Sequence, residues 1–157
     1  MAIFKDYLEN KSPLILHGAL GTEMESLGYD ISGKLWSAKY LLDKPEVIQK
    51  IHETYVAAGS DLITTSSYQA TLPGLIDAGL TEKEAEQIIA LTVQLAKNAR
   101  DKVWATLDET EKAKRPYPLI SGDVGPYAAY LANGSEYTGD YGQIGRASLG
   151  KECRSRW

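Results

Sequence analysis

Polar side chains follow three short apolar segments, at the points where we expect strands to end. His17 follows the first segment, Thr65 closes the second, and Asp123 follows the third. Parallel α/β folds place their ligands at the carboxyl ends of their strands. An imidazole, a hydroxyl and a carboxylate can all pair with a polar ligand. We therefore expect a ligand site at the edge of the sheet where these strands end.

The three apolar segments are brief and are separated by amphipathic stretches. They predict strands at residues 14–16, 62–65 and 118–122. The second is rich in β-branched residues, which favours a strand over a helix. This alternation is typical of an α/β protein with a parallel sheet.

Capping patterns predict two helices. The first begins near Asp43, which forms a capping box with Glu46 around a proline in the first turn, and it ends before Gly59. The second begins at Thr81, with Glu84 completing another capping box. Both carry apolar residues at helical spacing, so each should bury one face.

The connecting stretches are less regular. Residues 66–79 are predicted as loop and turn around Pro73, and the charged residues 101–115 as helix or loop. Gly18 and Gly21 predict a tight turn after the first strand, where a ligand could approach the backbone closely.

Cysteine and histidine are scarce. The chain has one cysteine, Cys153, and two histidines. One cysteine cannot build an internal disulfide framework or a structural zinc site, and it suits a reducing cytoplasm. His52 lies in the middle of a predicted helix and far along the chain from His17. We therefore interpret His52 as a helix-face residue and not as a ligand.

Composition excludes several classes of protein. The chain has 157 residues, a formal net charge of -4 and a pI near 5.2. This length suits one domain, and the mild acidity argues against nucleic-acid binding. We find no apolar run long enough to cross a membrane and no signal-peptide pattern at the start. The basic cluster at residues 112–115 is interpreted as a solvated loop.

The end of the chain changes character. From residue 145 onward there is no helical or strand periodicity, and three of the last seven residues are Lys or Arg. This stretch is either a small basic tail or the product of a reading-frame change or abrupt truncation, and we favour the second interpretation. We expect a domain at residues 1–144 and an aberrant tail at residues 145–157.

Four stretches, in order and spacing, resemble one family. It is the homocysteine-binding domain of homocysteine S-methyltransferases that use S-methylmethionine, of betaine–homocysteine methyltransferase and of cobalamin-dependent methionine synthase. The stretches are LILHGALGTEM at 14–24, LWSA at 35–38 with KPEVI at 44–48, IHETYVAAGSD at 51–61 running into TTSSYQA at 64–70, and SGDVGPY at 121–127 with GSEYTGDY at 134–141. The last is typical of bacterial S-methylmethionine-type enzymes.

The resemblance implies a (β/α)₈ TIM barrel, which takes about 250 residues. Three predicted strands would make this chain the N-terminal portion of the barrel, about three βα units. An incomplete barrel leaves a parallel edge unpaired, so we expect self-association.

The resemblance also implies the chemistry. The family transfers a methyl group from S-methylmethionine or S-adenosylmethionine to homocysteine, giving methionine. The reactive form of a thiol is the thiolate, and zinc held by three cysteines produces it in the family. Cys153 matches none of these positions. We therefore expect this chain alone to bind no zinc, to contain no catalytic residue and to be inactive.

The family match implies part of the substrate pocket. The implied substrate-binding residues are His17, Gly18, Trp36, Thr65, Ser66, Tyr68 and Asp123. His17 stands where the family normally has an aspartate for the amino group of homocysteine, and a neutral imidazole carries no negative charge. Glu136 and Asp140 are carboxylates that would favour a cationic donor.

Structural interpretations exist for each of these residues. They are a hydrogen-bonded histidine, turn glycines, a packing tryptophan, loop-capping hydroxyls and exposed acids. For the chain as a whole, the alternative to an enzyme is a non-catalytic α/β fragment that binds a ligand or associates with itself. A third hypothesis is complementation by a separate C-terminal half.

Overall fold

The computed structural model describes residue 7 and residues 13–33, 35–126, 130–131 and 133–139. The chain divides into two compact units, Met1–Gly125 and Pro126–Trp157. The predicted tail at residues 145–157 and the predicted domain end at residue 144 lie outside the described residues.

A small parallel sheet lies in the larger unit. Strand β1 is Leu62–Thr64 and strand β2 is Leu119–Ser121, paired in parallel with their first residues opposite each other. Leu16 adds a parallel bridge to the first residue of β1. The mixed α/β class and the second and third predicted strands are confirmed, whereas the first is reduced to that bridge.

The side chain of Asp61 explains why the first segment is irregular. Its carboxylate accepts the N–H of Ile15 at 3.1 Å. The N–H groups of Asp61 and Leu62 both donate to the carbonyl of Ile15, at 2.8 and 3.1 Å. A side chain and a shared carbonyl thus replace regular ladder bonds, although the segment keeps its parallel direction.

In the part of the chain described from residue 13 onward, four helical segments precede β1. They are α1 at Leu20–Ser26, a 3₁₀ turn at Trp36–Ala38, α2 at Lys39–Asp43 and α3 at Pro45–Ala57. The predicted capping box at Asp43 is wrong because Asp43 is the last residue of α2, and Lys44 stands at the cap with no side-chain bond. The predicted turn at Gly18–Gly21 is also shorter than expected, since Gly21 is already helical.

Four more helices follow in the described residues. They are α4 at Leu72–Asp77, α5 at Glu82–Thr106, α6 at Glu109–Lys112 and α7 at Ser135–Thr138. The capping box of Thr81 and Glu84 at the start of α5 is confirmed. The prediction of residues 66–79 as loop alone is wrong. The Thr71 hydroxyl caps α4, and Pro73 occupies its first turn, where proline is tolerated.

Helices α3 and α5 pack against each other over the core. Their buried residues include Ile48 and Ile51 from α3 and Ala85 and Leu95 from α5, all at most 5% exposed. A smaller buried cluster of Val56, Ile63 and Ala96 joins these helices to β1. The sheet therefore rests on the helix pair. Among the described residues, no helix is long and apolar enough to span a membrane.

Arg115 fastens the end of α3 to the segment before β2. Its guanidinium donates to the carbonyls of Val56 and Ser60, both at 3.0 Å. Gly59 lies between them with a φ of +104°, which confirms the predicted glycine stop of this helix.

Candidate functional site

The carboxyl ends of the three parallel segments bring predicted site residues together. The N–H of His17 donates to the carbonyl of Leu62 at 3.0 Å, and the N–H of Thr65 donates to the carbonyl of Ser121 at 2.9 Å. Backbone pairing therefore continues to the last residue of each segment. The side chains that follow are held beside one another at one edge of the sheet.

Hydroxyl groups connect the loop after β1 to the residue after β2. The N–H of Asp123 donates to Oγ1 of Thr65 at 2.9 Å. Oγ1 of Thr65 lies 2.7 Å from Oγ of Ser67, which in turn donates to the carbonyl of Asp123 at 2.5 Å. We call Thr65, Ser67 and the backbone of Asp123 the hydroxyl clasp. Both backbone polar groups of Asp123 are satisfied within it.

His17 lies half-buried at the end of the first segment. Its Nε2 pairs with the hydroxyl of Thr64, and its ring packs on Tyr55 with the centroids 5.3 Å apart. Its Nδ1 is buried and has no hydrogen-bond partner among the described residues. Burial lowers the pKa of His17, opposed by the backbone at Gly18 and Thr64 and by the carboxylate of Asp123. The imidazole is therefore neutral at pH 7.

His52 approaches His17 from the buried face of α3. The two rings meet edge to face with their centroids 5.7 Å apart, and His52 is fully buried. Neither of its ring nitrogens has a partner among the described residues. Burial, together with charge on His17, lowers the pKa of His52 to about 4. We call His17 and His52 the histidine pair.

Asp123 supplies a negative charge at the same edge. Burial raises the pKa of its carboxyl, and the neighbouring His17 and the backbone at Val124 oppose this. Asp123 and His17 each shift the pKa of the other, as a carboxylate and an imidazole at the same edge of the sheet do. Such a pair can offer an ammonium group a charge together with a neutral hydrogen-bonding partner.

Gly18 is explained by Tyr55. A Cβ at Gly18 would lie 2.6 Å from Cε1 of the Tyr55 ring. The Tyr55 hydroxyl donates to the carbonyl of Ala19 at 3.1 Å. The absence of a side chain at Gly18 therefore admits this ring, whatever its role toward a ligand.

Ser66 and Tyr68 lie on the loop after β1. Ser66 is 8% exposed, and its hydroxyl has no hydrogen-bond partner among the described residues. The side chain of Tyr68 is 41% exposed. Its carbonyl faces Gly125 so closely that a Cβ there would lie 2.2 Å away. The loops after β1 and β2 are thus in tight contact next to the hydroxyl clasp.

Trp36 lies in a different setting from the other predicted residues. It is 49% exposed, has a φ of +46°, and borders a pocket of about 300 Å³ with Tyr29, Asp30 and Gly33. None of the residues lining that pocket belongs to the strand-end group. The side chain of Glu136 and all of Asp140 fall outside the described part of the chain.

A larger pocket, of about 850 Å³, lies near the starts of the strands. Several of its polar side chains are already engaged. Arg115 binds two carbonyls, Arg100 pairs with Asp101 and stacks on Tyr117, and the Tyr7 hydroxyl donates to a carbonyl. Size alone favours this pocket. We place the candidate site at the strand ends because unpaired polar groups and a partly buried carboxyl group converge there.

Sequence reasoning did not assign a site role to His52, Tyr55 or Ser67. The signal for His52 and Tyr55 was their spacing, since Ile48, Ile51, His52 and Tyr55 lie on one face of α3. A histidine on an otherwise apolar face needs a partner or a neutral state. Ser67 stands two residues after Thr65, a spacing suited to short hydroxyl bridges.

A zinc site needs more ligands than the side chains at this edge supply. In the part of the chain that the structure describes, no group of three or more His, Cys, Asp or Glu could hold a metal ion. The histidine pair supplies two imidazoles, and zinc sites normally require three or four protein ligands. The described residues therefore do not fit zinc.

Comparison with known proteins identifies the family. The profile of the homocysteine S-methyltransferase family matches residues 14–154. Homocysteine S-methyltransferase YbgG of Bacillus subtilis is 46% identical over 128 residues, which cover 82% of this chain and 40% of the relative. Homocysteine S-methyltransferase 1 of Zea mays is 42% identical, with the same coverage.

A solved structure agrees with the sequence matches. The metallated form of the homocysteine methyltransferase MmuM from Escherichia coli matches with a TM-score of 0.75 and 42% identity, covering 86% of this chain and 46% of that one. The chain thus spans less than half of the length of these relatives. On the family profile and these relatives, the chain belongs to the homocysteine S-methyltransferase family.

Proposed function

We propose that this chain forms part of the homocysteine-binding side of a homocysteine S-methyltransferase. The whole protein would transfer a methyl group from S-methylmethionine or S-adenosylmethionine to homocysteine, giving methionine. The observation that supports this most is the convergence of His17, Asp123 and the hydroxyl clasp at the carboxyl ends of the parallel segments. Single cysteine usage supports the cytoplasm as its compartment.

The proposed fold is about three βα units of a (β/α)₈ barrel, at residues 1–144, with residues 145–157 as an aberrant tail. The parallel direction of all three segments supports it, since barrel strands are all parallel. So does the position of the polar residues, because barrel enzymes bind their substrates at the carboxyl ends of the strands.

In the proposed pocket, the carboxylate of Asp123 receives the ammonium of homocysteine. Neutral His17 completes the hydrogen bonding, and the unpaired hydroxyl of Ser66 faces another polar group of the substrate. The exposed ring of Tyr68 forms an outer wall, and the missing side chain at Gly18 admits the ring of Tyr55. Trp36 borders a separate pocket and is not proposed as part of this wall.

Methyl transfer itself is not assigned to the described residues. Zinc in the family activates the homocysteine sulfur as a thiolate, and the side chains at this edge do not fit such an ion. The chain alone is therefore proposed to bind homocysteine without turnover.

Titration calorimetry with homocysteine at pH 7.5 tests the binding proposal. We expect Asp123→Asn to weaken binding about tenfold, which corresponds to the loss of one charge-assisted hydrogen bond. Asp43→Asn, at an exposed helix end, is the matched control and should bind like the parent chain. Equal affinity in both variants would contradict the role of Asp123, and turnover of S-methylmethionine by the chain alone would contradict the binding-only proposal.

Self-association is the second proposed property. Ile15 and Leu16, on the irregular first segment, are 57% and 55% exposed. Exposed apolar side chains beside an open sheet edge favour pairing with another chain. Light scattering after size exclusion should show dimers or larger species. A monodisperse monomer would contradict this proposal.

A further inference from the structure

Thr65 lies where a substrate contact was predicted, but its hydroxyl is already hydrogen-bonded to two other protein groups. It accepts from the N–H of Asp123 and lies in hydrogen-bond contact with Ser67. We propose that Thr65 and Ser67 are positioning residues, which act on the substrate through Asp123 by holding its backbone in a closed ring of hydrogen bonds. This inference rests on the proposed role of Asp123 in binding homocysteine.

The donors and acceptors in the ring allow only one direction of hydrogen bonding. An amide N–H can only donate, so Oγ1 of Thr65 must accept from Asp123. A carbonyl can only accept, so the hydroxyl of Ser67 must donate to the carbonyl of Asp123. The one remaining hydrogen, on Thr65, therefore points to Oγ of Ser67. Each hydroxyl donates once and accepts once, which is the arrangement in which such bonds strengthen one another.

The ring holds the backbone of Asp123, the residue that carries the charge. Both its N–H and its C=O are hydrogen-bonded in the ring, so the loop after β1 holds the peptide units on either side of its Cα. Thr65 is 3% exposed, which keeps water from competing for these bonds. The side chain of Asp123 is not part of the ring. Its carboxylate is held by the backbone at Val124 and influences His17, while the ring immobilises the backbone of Asp123.

A purely structural loop cap would also contain these bonds, so the test needs a signal from the carboxylate. His17 provides it, since the charge of Asp123 raises the pKa of that imidazole against the lowering effect of burial. If the ring positions the carboxylate, breaking the ring lowers the pKa of His17. A loop cap with no positioning role would leave that pKa unchanged.

The experiment is an NMR titration of the ligand-free chain, with amide exchange measured on the same samples. In Thr65→Val we expect the pKa of His17 to fall toward its value in Asp123→Asn. The amide of Asp123 should exchange about tenfold faster, because it loses the hydrogen bond that protects it. Thr65→Ser keeps the hydroxyl and should behave like the parent chain. Thr54→Val removes an exposed helical hydroxyl and should change neither signal.

Ser67→Ala is the second variant, for use if Thr65→Val fails to fold. It removes the donor to the Asp123 carbonyl but leaves the amide bonded, so exchange should accelerate less while the pKa of His17 still falls. An unchanged pKa of His17 in folded variants of both residues, with a lowered one in Asp123→Asn, would overturn the inference. These signals need no substrate. If the parent chain fails to bind homocysteine, the proposed function fails while this test still decides the positioning role.

Discussion

The hydroxyl clasp and the histidine pair lie at the same edge of the sheet but differ in how completely their polar groups are hydrogen-bonded. Every donor and acceptor in the clasp is paired, with distances from 2.5 to 2.9 Å. In the histidine pair, three of four ring nitrogens are buried without a partner among the described residues. Complete hydrogen bonding holds the clasp in one geometry. The buried imidazoles without partners make the stability of their region depend on whether they are protonated.

Lowering the pH should destabilise the region of the histidine pair, and we expect this to be the largest effect. The pKa of His52 is lowered to about 4 in the folded chain from an ordinary 6.5. The neutral form is therefore favoured by folding, so its stabilisation is present above pH 6.5 and is lost as the pH falls through 4. At about 1.4 kcal/mol per pKa unit, the loss approaches about 3 kcal/mol.

Urea unfolding at a series of pH values measures this loss. In His52→Leu the steep decline between pH 6.5 and 4 should largely disappear, since the leucine takes up no proton. A variant that declines as steeply as the parent chain would show that other groups cause the acid sensitivity.

Crowding the contact beside the clasp should have the next largest effect. A Cβ at Gly125 would lie 2.2 Å from the carbonyl of Tyr68, so a backbone must move to admit it. We expect Gly125→Ala to destabilise the chain by about 2 kcal/mol. Gly122→Ala is the matched control, because nothing lies within 4 Å of its added Cβ. Thermal unfolding compares the two, and equal midpoints would contradict a tight contact between the loops.

The smallest effect should be a gain. At pH 7.5 His52→Leu replaces two unpaired buried nitrogens with apolar atoms, so we expect a stabilisation of about 1 kcal/mol. An internal hydrogen bond that His52 makes in solution would reverse the sign. Denaturant unfolding at neutral pH distinguishes these outcomes, with Gln49→Leu on the same helix as a comparison.

Local signals in the sequence predicted much of the fold. The capping box at Thr81, the glycine stop at Gly59 and two strands are confirmed because each depends on a few adjacent residues. The capping box at Asp43 failed because a second helix ends at that residue, and its backbone is therefore already helical. Whether an acid caps one helix or ends another is decided by packing on both sides.

The sequence predicted individual residues of the candidate site but not which side chains they would contact. Strand ends indicated His17, Thr65 and Asp123, and the structure brings these three together. His52 and Ser67 were missed as partners, because a single helix or loop does not show which neighbour it will meet. The partner of each is set by the packing of α3 on the sheet and by the approach of one loop to another.

The parallel pairing of distant segments also sets the order in which parts of the chain can form during synthesis. Ile15 and Asp61 are 46 residues apart, and Thr65 and Asp123 are 58 apart, so no sheet contact is local. Helices α3 and α5 close their bonds within a few residues and can form early. At about 5–20 residues per second, a ribosome needs about 3 to 12 seconds to add Asp123 after Thr65. During that interval the hydroxyls of Thr65 and Ser67 are bonded to water, and the hydroxyl clasp can form only after Asp123 has been added.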